Sequence, residues 1–557
     1  MRASAAEHFA TFRNELLRQA LRPLFRLVGW RAGRDLGRRI ADHAREQERL
    51  RVLYGVTAST PVRPWSDAVA AEVEAWAATH VSAELAERRE SVRFACTSGS
   101  TAKPKRIAYT RERLAALRRA NTGAAAQAAR VHGIGRPTLF AFTALREDDS
   151  LSSMLLEEGR RVGFTDGLVM PSRHLGSQAL APLVAEHGAT AVRLWLLALS
   201  NPGLLYATNP STLAGFLGAV HGDWQGSTGV VRAHVVGKLP KGAAAVGRRV
   251  LAPGWRARLE LVARAHTPPP VEAWLPGLRA YCCWDGGYVA PFLERLRRHL
   301  PAPRFAHVPM YSMSTETLET LLFYEGQTPR FLPLGEGVLY ELLPDGAEDD
   351  PALLVPARAA QVGRDYTLVV SDPYGLVRYQ TCDLFRCAGR VGEVPDLRFL
   401  RRRGLTYSFT GEKLAGAQVE AAFAALKAAR PALRTLGVQL ALLPSLPGPD
   451  VSPCYRLVLA HPADVRPDEL PVDGLGPAFD ALLGAENREL ASKLASGRLG
   501  PTQVVVLAYE ELAAALDGRT STSDRAWENQ FKLLPLYTRT WESVPGLAAH
   551  APVAVPA

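Results

Sequence analysis

The chain has 557 residues, 47% hydrophobic and 22% charged, a mixture that fits soluble globular protein and excludes disorder as its main state. At roughly 100–200 residues per domain, this length predicts about two to four domains. A formal charge of +11 favours encounter with anions, but no zinc-finger spacing, RNA-binding aromatic motif or basic zipper accompanies it, so no specific nucleic-acid partner is expected.

Residues 2–53 and 68–90 read as helices on either side of the turn-rich STPVRPWSD. VRFACTS has the short apolar character of a strand, and RERLAALRRANTGAAAQAARV, residues 111–131, has helical periodicity. The polar run TSGSTAKPK lies between them, and strand, loop, helix is the order that turns loop amides and a helix N-terminus toward an anion. Alternation continues with strands at PTLFAFT and TAVRLW around a helix near 175–187, then helical runs over 229–266 and a corner at Pro268, Pro269 and Pro270. The apolar stretch 194–220 is broken by Ser200, Asn201, Pro202, Asn209 and Pro210, which predicts two buried helices with a turn and no membrane insertion.

LRAYCCWDGG and FAHVPMYSM each place an apolar strand directly before polar residues, with the helical YVAPFLERLRRHL between them. Residues 331–400 read as a series of strands. Beyond the basic turn Arg401, Arg402, Arg403, Gly404, helices at AGAQVEAAFAALKAA, AFDALLGAENRELASKLAS and YEELAAAL alternate with strands at YRLVLA and TQVVVLA. This order predicts an α/β protein with a large domain over residues 1–400 and a smaller α/β domain over residues 404–557.

Six cysteines, Cys96, Cys282, Cys283, Cys382, Cys387 and Cys454, are too few and too dispersed for a disulfide framework, and none has the paired spacing of a structural zinc site. A reducing, cytoplasmic setting is expected. The opening MRASAAEHFATFRNELLRQALRPLF lacks the continuous apolar run of a signal peptide.

TSGSTAKPK holds a single glycine, so its spacing is not that of a P-loop. Its chemistry still suits phosphate. Thr97, Ser98, Ser100 and Thr101 offer hydroxyls, Gly99 takes backbone angles closed to other residues, and Lys103 and Lys105 bring positive charge on either side of Pro104. A polar surface turn has the same ingredients, so composition alone leaves both readings open.

The segment closely resembles the phosphate-binding loop of adenylate-forming enzymes. YGLVRYQTCDLFRCAGRVGEVPDLRFLRRRGLTYSFTGEKL, residues 374–414, is similar to the corresponding region of the acyl-acid amido synthetases, known from plants as auxin- and jasmonate-conjugating enzymes and having a bacterial branch. YCCWDGG, FLPLGEGVLYELLP, ENRELASKLASGRLGP and ENQFKLLPL also occur in the family's order, so the likeness runs over most of the chain from about residue 90. It implies a large adenylate-forming N-terminal domain with a smaller hinged C-terminal domain. The implied ligase uses ATP and Mg2+ to adenylate a small carboxylic acid and passes the acyl group to an amine or amino acid. An acyl-CoA synthetase shares the first half of that chemistry and is the alternative. Charge alone keeps a basic nucleic-acid-binding protein as the alternative of a different class.

On this resemblance Thr97, Ser98, Gly99, Ser100, Thr101 and Lys103 hold phosphate, with Lys105 acting on the reacting groups. In SMSTE, Glu316 is the implied magnesium ligand, and Thr315 and Tyr311 flank the nucleotide. The family's tyrosine stands four residues before that glutamate, where this chain has Ser312, so Tyr311 is displaced by one. A helix N-terminal glutamate is the bland reading of Glu316. Trp284, Gly286 and Met313 are the substrate-pocket candidates. Asp383 in RYQTCDLF is implied to hold the ribose, although the family's Val-Gly before it is Thr381-Cys382 here; a structural partner such as Arg378 or Arg386 is its bland alternative. Arg402, supported by Arg401, is the hinge cation expected to clamp phosphate, against surface charge at a domain joint. Lys532 is the late lysine expected over the reacting groups when the small domain closes.

Overall fold

The computed structural model describes residues 4–88, 93–96, 106–135, 138–142, 151, 154–155, 166–286, 290–347, 350–403, 406–407, 409, 412, 414–447, 451–497, 499–517, 533–550 and 552. The chain forms two compact units: Met1–Thr208, Gln225–Gly286 and Ala302–Arg402 make the first, and Asn209–Trp224, Gly287–Pro301 and Arg403–Ala557 the second.

The first unit opens with α1 (Ala5–Leu53), whose start is fixed by a capping box: the Ser4 hydroxyl accepts the Glu7 N–H at 3.2 Å, and the Glu7 carboxylate accepts the Ser4 N–H at 2.9 Å. After α2 (Asp67–Arg88), β1 (Arg93–Cys96) and β2 (Arg106–Tyr109) pair antiparallel with Cys96 opposite Arg106. Residues 97–105 therefore join two strands, where the sequence reading had a strand leading through a loop into a helix. IAY is too short to carry a period of its own, and its strand character shows only in the pairing. The helix α3 (Arg111–Val131) follows, capped by Thr110, whose hydroxyl accepts the Arg113 N–H at 3.1 Å.

Four parallel strands, β3 (Leu139–Ala141), β4 (Leu204–Tyr206), β5 (Ala280–Cys283) and β6 (Ala306–Pro309), lie side by side in chain order. Helical crossovers separate them, as parallel pairing requires. TAVRLW, expected to be a strand, lies inside the helix Ala181–Ser200. That helix is buried continuously from Ala191 to Ser200, so the polar face that would have marked a helical period is missing. It ends at Asn201 in a left-handed turn of φ 46°, and the strand comes afterwards at β4.

A hairpin, β7 (Leu321–Glu325) and β8 (Thr328–Leu332), precedes the antiparallel sheet of β9 (Leu339–Pro344), β10 (Val355–Pro356), β11 (Asp365–Ser371), β12 (Tyr379–Val391) and β13 (Val394–Arg402). Its spatial order is β10-β9-β11-β12-β13. One face carries Tyr340, Leu342, Leu368, Val370, Tyr379 and Phe385 into a core closed by Val69 and Val73 of α2.

In the second unit β14 (Thr406–Tyr407) pairs with β15 (Leu414–Ala415), and a three-stranded sheet joins β16 (Gln439–Ser445), β17 (Cys454–His461) and β18 (Gln503–Ala508). The first pair of that sheet is antiparallel and the second parallel. AFDALLGAENRELASKLAS, read as one helix, is two, Leu475–Glu486 and Arg488–Ala495. Asn487 leaves helical geometry at φ −140°, and its side chain accepts the Leu490 N–H at 2.9 Å to start the second. Among the described residues no helix is long and apolar enough to cross a membrane.

Candidate active site

In open parallel sheets, ligands sit in the crevice beyond the carboxyl ends of the strands. Cys283 and Pro309 are partners at the ends of β5 and β6, so the segments Trp284–Gly286 and Met310–Glu316 leave the sheet side by side. Trp284 stacks on Phe399 of β13, with ring centroids 5.1 Å apart and planes at 20°. A Cβ at Gly286 would meet the Phe399 carbonyl oxygen at 3.0 Å, so only glycine lets the turn approach that strand without displacing its backbone.

No helix begins at Glu316; residues 311–320 are irregular backbone, which removes the helix N-terminus reading. Side chains from distant segments hold this loop instead. The Tyr109 hydroxyl donates to the Thr315 carbonyl at 2.8 Å, and the Tyr379 hydroxyl donates to Glu316 Oε1 at 3.3 Å. Arg113 donates through Nη2 to the Glu316 carbonyl and through Nη1 to the Ala108 carbonyl at 2.8 Å. Its guanidinium lies 4.6 Å from the Tyr109 ring centroid and 4.4 Å from that of Tyr374, while Asp372 stands 3.4 Å away. Burial pushes the Asp372 carboxyl up, and Arg113 with the Tyr374 and Leu376 N–H groups pulls it back. The sequence reading missed Arg113 because nothing in its neighbourhood distinguishes it from the other arginines of an amphipathic helix.

Glu319, also missed, is a strongly perturbed carboxyl near this loop. It is 1% exposed and takes a hydrogen bond from the Ser312 hydroxyl. Burial first, and then the charge of Asp383, hold its carboxyl well above the usual carboxylate range, with Glu316 adding in the same sense. Glu319, from the loop after β6, thus stands against Asp383 of β12 and feels the charge of Glu316. The signal was a charged residue inside the apolar run TLETLLF.

Asp383 is buried, its N–H donates to the Thr381 hydroxyl at 3.2 Å, and its strand pairs it with Arg402, while Leu384 faces Arg401. The two arginines that a merely structural Asp383 would use are held elsewhere: Arg378 pairs with Glu341 at 2.9 Å and Arg386 with Asp365 at 2.7 Å. Cys382 has φ 61°, the left-handed region that favours glycine. The backbone before Asp383 therefore keeps a shape that glycine takes freely, with a thiol-bearing residue in its place.

Tyr311 is turned into the core beside Leu204, Ala280 and Val308, and its hydroxyl donates to Asn121. Met313, with Ser314, Thr317 and Leu318, lines a cavity of about 710 Å3 whose other walls include Arg113, Leu117 and Tyr374. Thr97, Ser98, Gly99, Ser100, Thr101, Lys103, Lys105 and Lys532 lie outside the described residues, as do the side chains of Arg401 and Arg402.

Magnesium takes hard oxygen ligands and keeps several waters, so one or two carboxylates complemented by phosphate oxygens suffice. Glu316 fits that demand. No group of three or more His, Cys, Asp or Glu able to hold a metal alone occurs among the described residues.

The chain shares the fold of a structure of AtGH3.15 acyl acid amido synthetase in complex with 2,4-DB, with TM-score 0.62 at 14% identity over 83% of this chain and 82% of that one. A second structure of the GH3.15 acyl acid amido synthetase gives TM-score 0.59 at 15% identity, covering 83% and 81%. Residues 331–402, which carry β9 to β13, match the GH3 family central domain. The probable indole-3-acetic acid-amido synthetase GH3.9 of Oryza sativa subsp. japonica is 29% identical over 179 residues, covering 30% of this chain and 39% of that protein. The probable indole-3-acetic acid-amido synthetase GH3.2 of the same plant is 36% identical over 72 residues, or 13% of this chain and 12% of that protein. The matched stretches thus span less than half the length of these relatives.

Proposed function

We propose that this protein is an ATP-dependent ligase that adenylates a carboxylic acid and transfers the acyl group to an amine, in the manner of the acyl-acid amido synthetases. The observation that carries this reading is that Glu316, from the segment following β6, and Asp383, from β12, both bear on the buried Glu319, in a fold shared with an acyl acid amido synthetase. The curated relatives named above are plant proteins, so the bacterial branch rests on the sequence motifs alone.

In the first half-reaction a carboxylate oxygen attacks the α-phosphorus of ATP, and the bond to pyrophosphate breaks. In the second an amine nitrogen attacks the acyl carbon, the bond to AMP breaks, and the nitrogen gives up a proton. Asp383 accepts hydrogen bonds from the ribose hydroxyls, and the protonated state favoured by Glu319 spares Asp383 a second charge beside it. Thr97, Ser98, Gly99, Ser100, Thr101 and Lys103 cradle the leaving phosphates, and Lys105 and Arg402 counter charge on the reacting groups, with Arg401 in support. Magnesium held by Glu316 would neutralise charge on the phosphate oxygens. Thr315 adjoins that ligand, Trp284 and Gly286 set the crevice wall, and Met313 opens onto the cavity that takes the apolar body of the acid. Residues 404–557 close as a lid that excludes water from the acyl-adenylate and brings Lys532 to the developing charge. A cytoplasmic setting belongs to the same proposal and agrees with Cys282, Cys283, Cys382, Cys387 and Cys454 forming no disulfide.

Carboxylate-dependent exchange of labelled pyrophosphate into ATP tests the first half-reaction across a panel of acids. Exchange that Asp383→Ala and Glu316→Ala abolish is expected, and its absence from folded protein that also fails to bind ATP overturns the reading. Preformed acyl-adenylates offered to amino acids and to coenzyme A test the second. Thioester without amide rejects amide transfer while leaving adenylation standing.

A further inference from the structure

Over its first half the helix α1 buries two polar side chains and exposes a row of apolar ones. Toward the body of the protein it buries Asn14 and Arg18, at 1% and 3% exposure, which donate to the backbone carbonyls of Arg248, Val250 and Leu251. Toward solvent it turns Phe9, Phe12, Leu16, Leu24, Leu27 and Trp30, exposed by between 41% for Leu27 and 68% for Phe12. At about 100° per residue these six fall within an arc of about 120°, a continuous apolar stripe roughly 32 Å long. Exposed apolar residues scattered singly need no explanation, whereas an aligned row on one face does.

The charge around the stripe is mainly positive. From Glu7 to Asp35 the helix carries six arginines, Arg13, Arg18, Arg22, Arg26, Arg31 and Arg34, against three acids, Glu7, Glu15 and Asp35. Arg22, Arg26, Arg31 and Arg34 are exposed, and the Arg34 guanidinium lies 5.3 Å from the Trp30 ring centroid. A second copy laid on this face would bring arginines against arginines with too few acids to pair them. An anionic lipid surface would meet the stripe with acyl chains and the arginines with headgroup phosphates, which is how interfacial amphipathic helices bind.

We propose that α1 docks this protein onto anionic membrane surfaces, lying in the interface with Phe9, Phe12, Leu16, Leu24, Leu27 and Trp30 among the outer acyl carbons. Trp30 and Arg34 also line the 710 Å3 cavity, so docking sets that cavity beside the lipid.

The full-length protein, floated with vesicles of phosphatidylglycerol and phosphatidylcholine, tests this directly. Binding is expected to exceed that to pure phosphatidylcholine by at least tenfold and to fall with added salt. A Phe9→Ser, Phe12→Ser, Trp30→Ser variant is expected to lose at least tenfold in vesicle affinity while keeping the circular dichroism spectrum. Arg22→Glu with Arg26→Glu, which leaves the apolar row intact, is expected to lose the preference for anionic vesicles. No binding to either vesicle, or binding that the serine variant leaves unchanged, overturns the proposal. So does a lipid-free dimer in sedimentation velocity that the serine variant abolishes, because a second copy would then be the occupant.

Discussion

The connection between β14 and β15 and the loop beyond β6 each bury a glutamate, and their surroundings treat it in opposite ways. Glu412, in the second unit, accepts the Phe409 N–H at 2.6 Å and the Tyr455 hydroxyl at 2.8 Å, while its carbonyl takes the Asn487 side-chain amide at 2.8 Å. Donors converge on it, and it pins the β14–β15 turn to the sheet and to the start of a helix. Glu319 has one hydroxyl donor and faces two further carboxyls. A buried carboxylate among donors is a structural anchor. A buried carboxyl among carboxylates is a cost that the folded chain bears for something other than stability.

Substitutions can break or sharpen this contrast. The largest effect is expected from Arg113→Ala, which strips the Glu316 loop of its cation and leaves Asp372 buried without it. A loss of about 3–5 kcal/mol in chemical denaturation is expected, the range for removing one partner of a buried charge pair. Glu412→Ala should cost less, about 1–3 kcal/mol, as the Tyr455 hydroxyl and Phe409 N–H lose their acceptor. If it costs nothing, the anchor reading of Glu412 fails.

Glu319→Gln should have the opposite sign. The folded chain holds the Glu319 proton more tightly than the unfolded chain does, so stability falls as pH rises from the ordinary carboxylate range toward the raised folded value. The variant escapes that fall. Denaturation midpoints followed from pH 4 to pH 8 should show it more stable than the parent at the upper end and indistinguishable at the lower; a constant difference would mean Glu319 does not titrate in this way. The smallest effect is expected at Cys382, where φ 61° strains any side chain. Cys382→Gly should stabilise by up to about 1 kcal/mol through relief of that strain, less the added freedom of the unfolded chain, whereas Cys382→Val should destabilise.

The sequence disclosed much of this architecture and less of the site. Residues 111–131 were legible as a helix to the residue because one polar stripe survives along it, and 331–400 as strands because turns punctuate short apolar runs. Burial on all sides erased the same signal from TAVRLW. Glu316 and Asp383 stood in motifs and could be named. Arg113 and Glu319 could not, because what sets them apart is a neighbour far along the chain.

Arg113 also has a consequence for the order of events at the ribosome. Its guanidinium closes contacts across 203 residues to Glu316 and 259 residues to Asp372, and neither exists until the later segment has emerged. At about 5–20 residues per second, Asp372 is made roughly 13–50 s after Arg113. Local helices such as α3 fold within microseconds, so the helix stands ready long before the loop it is to hold. The candidate site is thus among the last parts of the large unit to be born, and a chain cut short of Asp372 would carry its motifs without the clamp that shapes them.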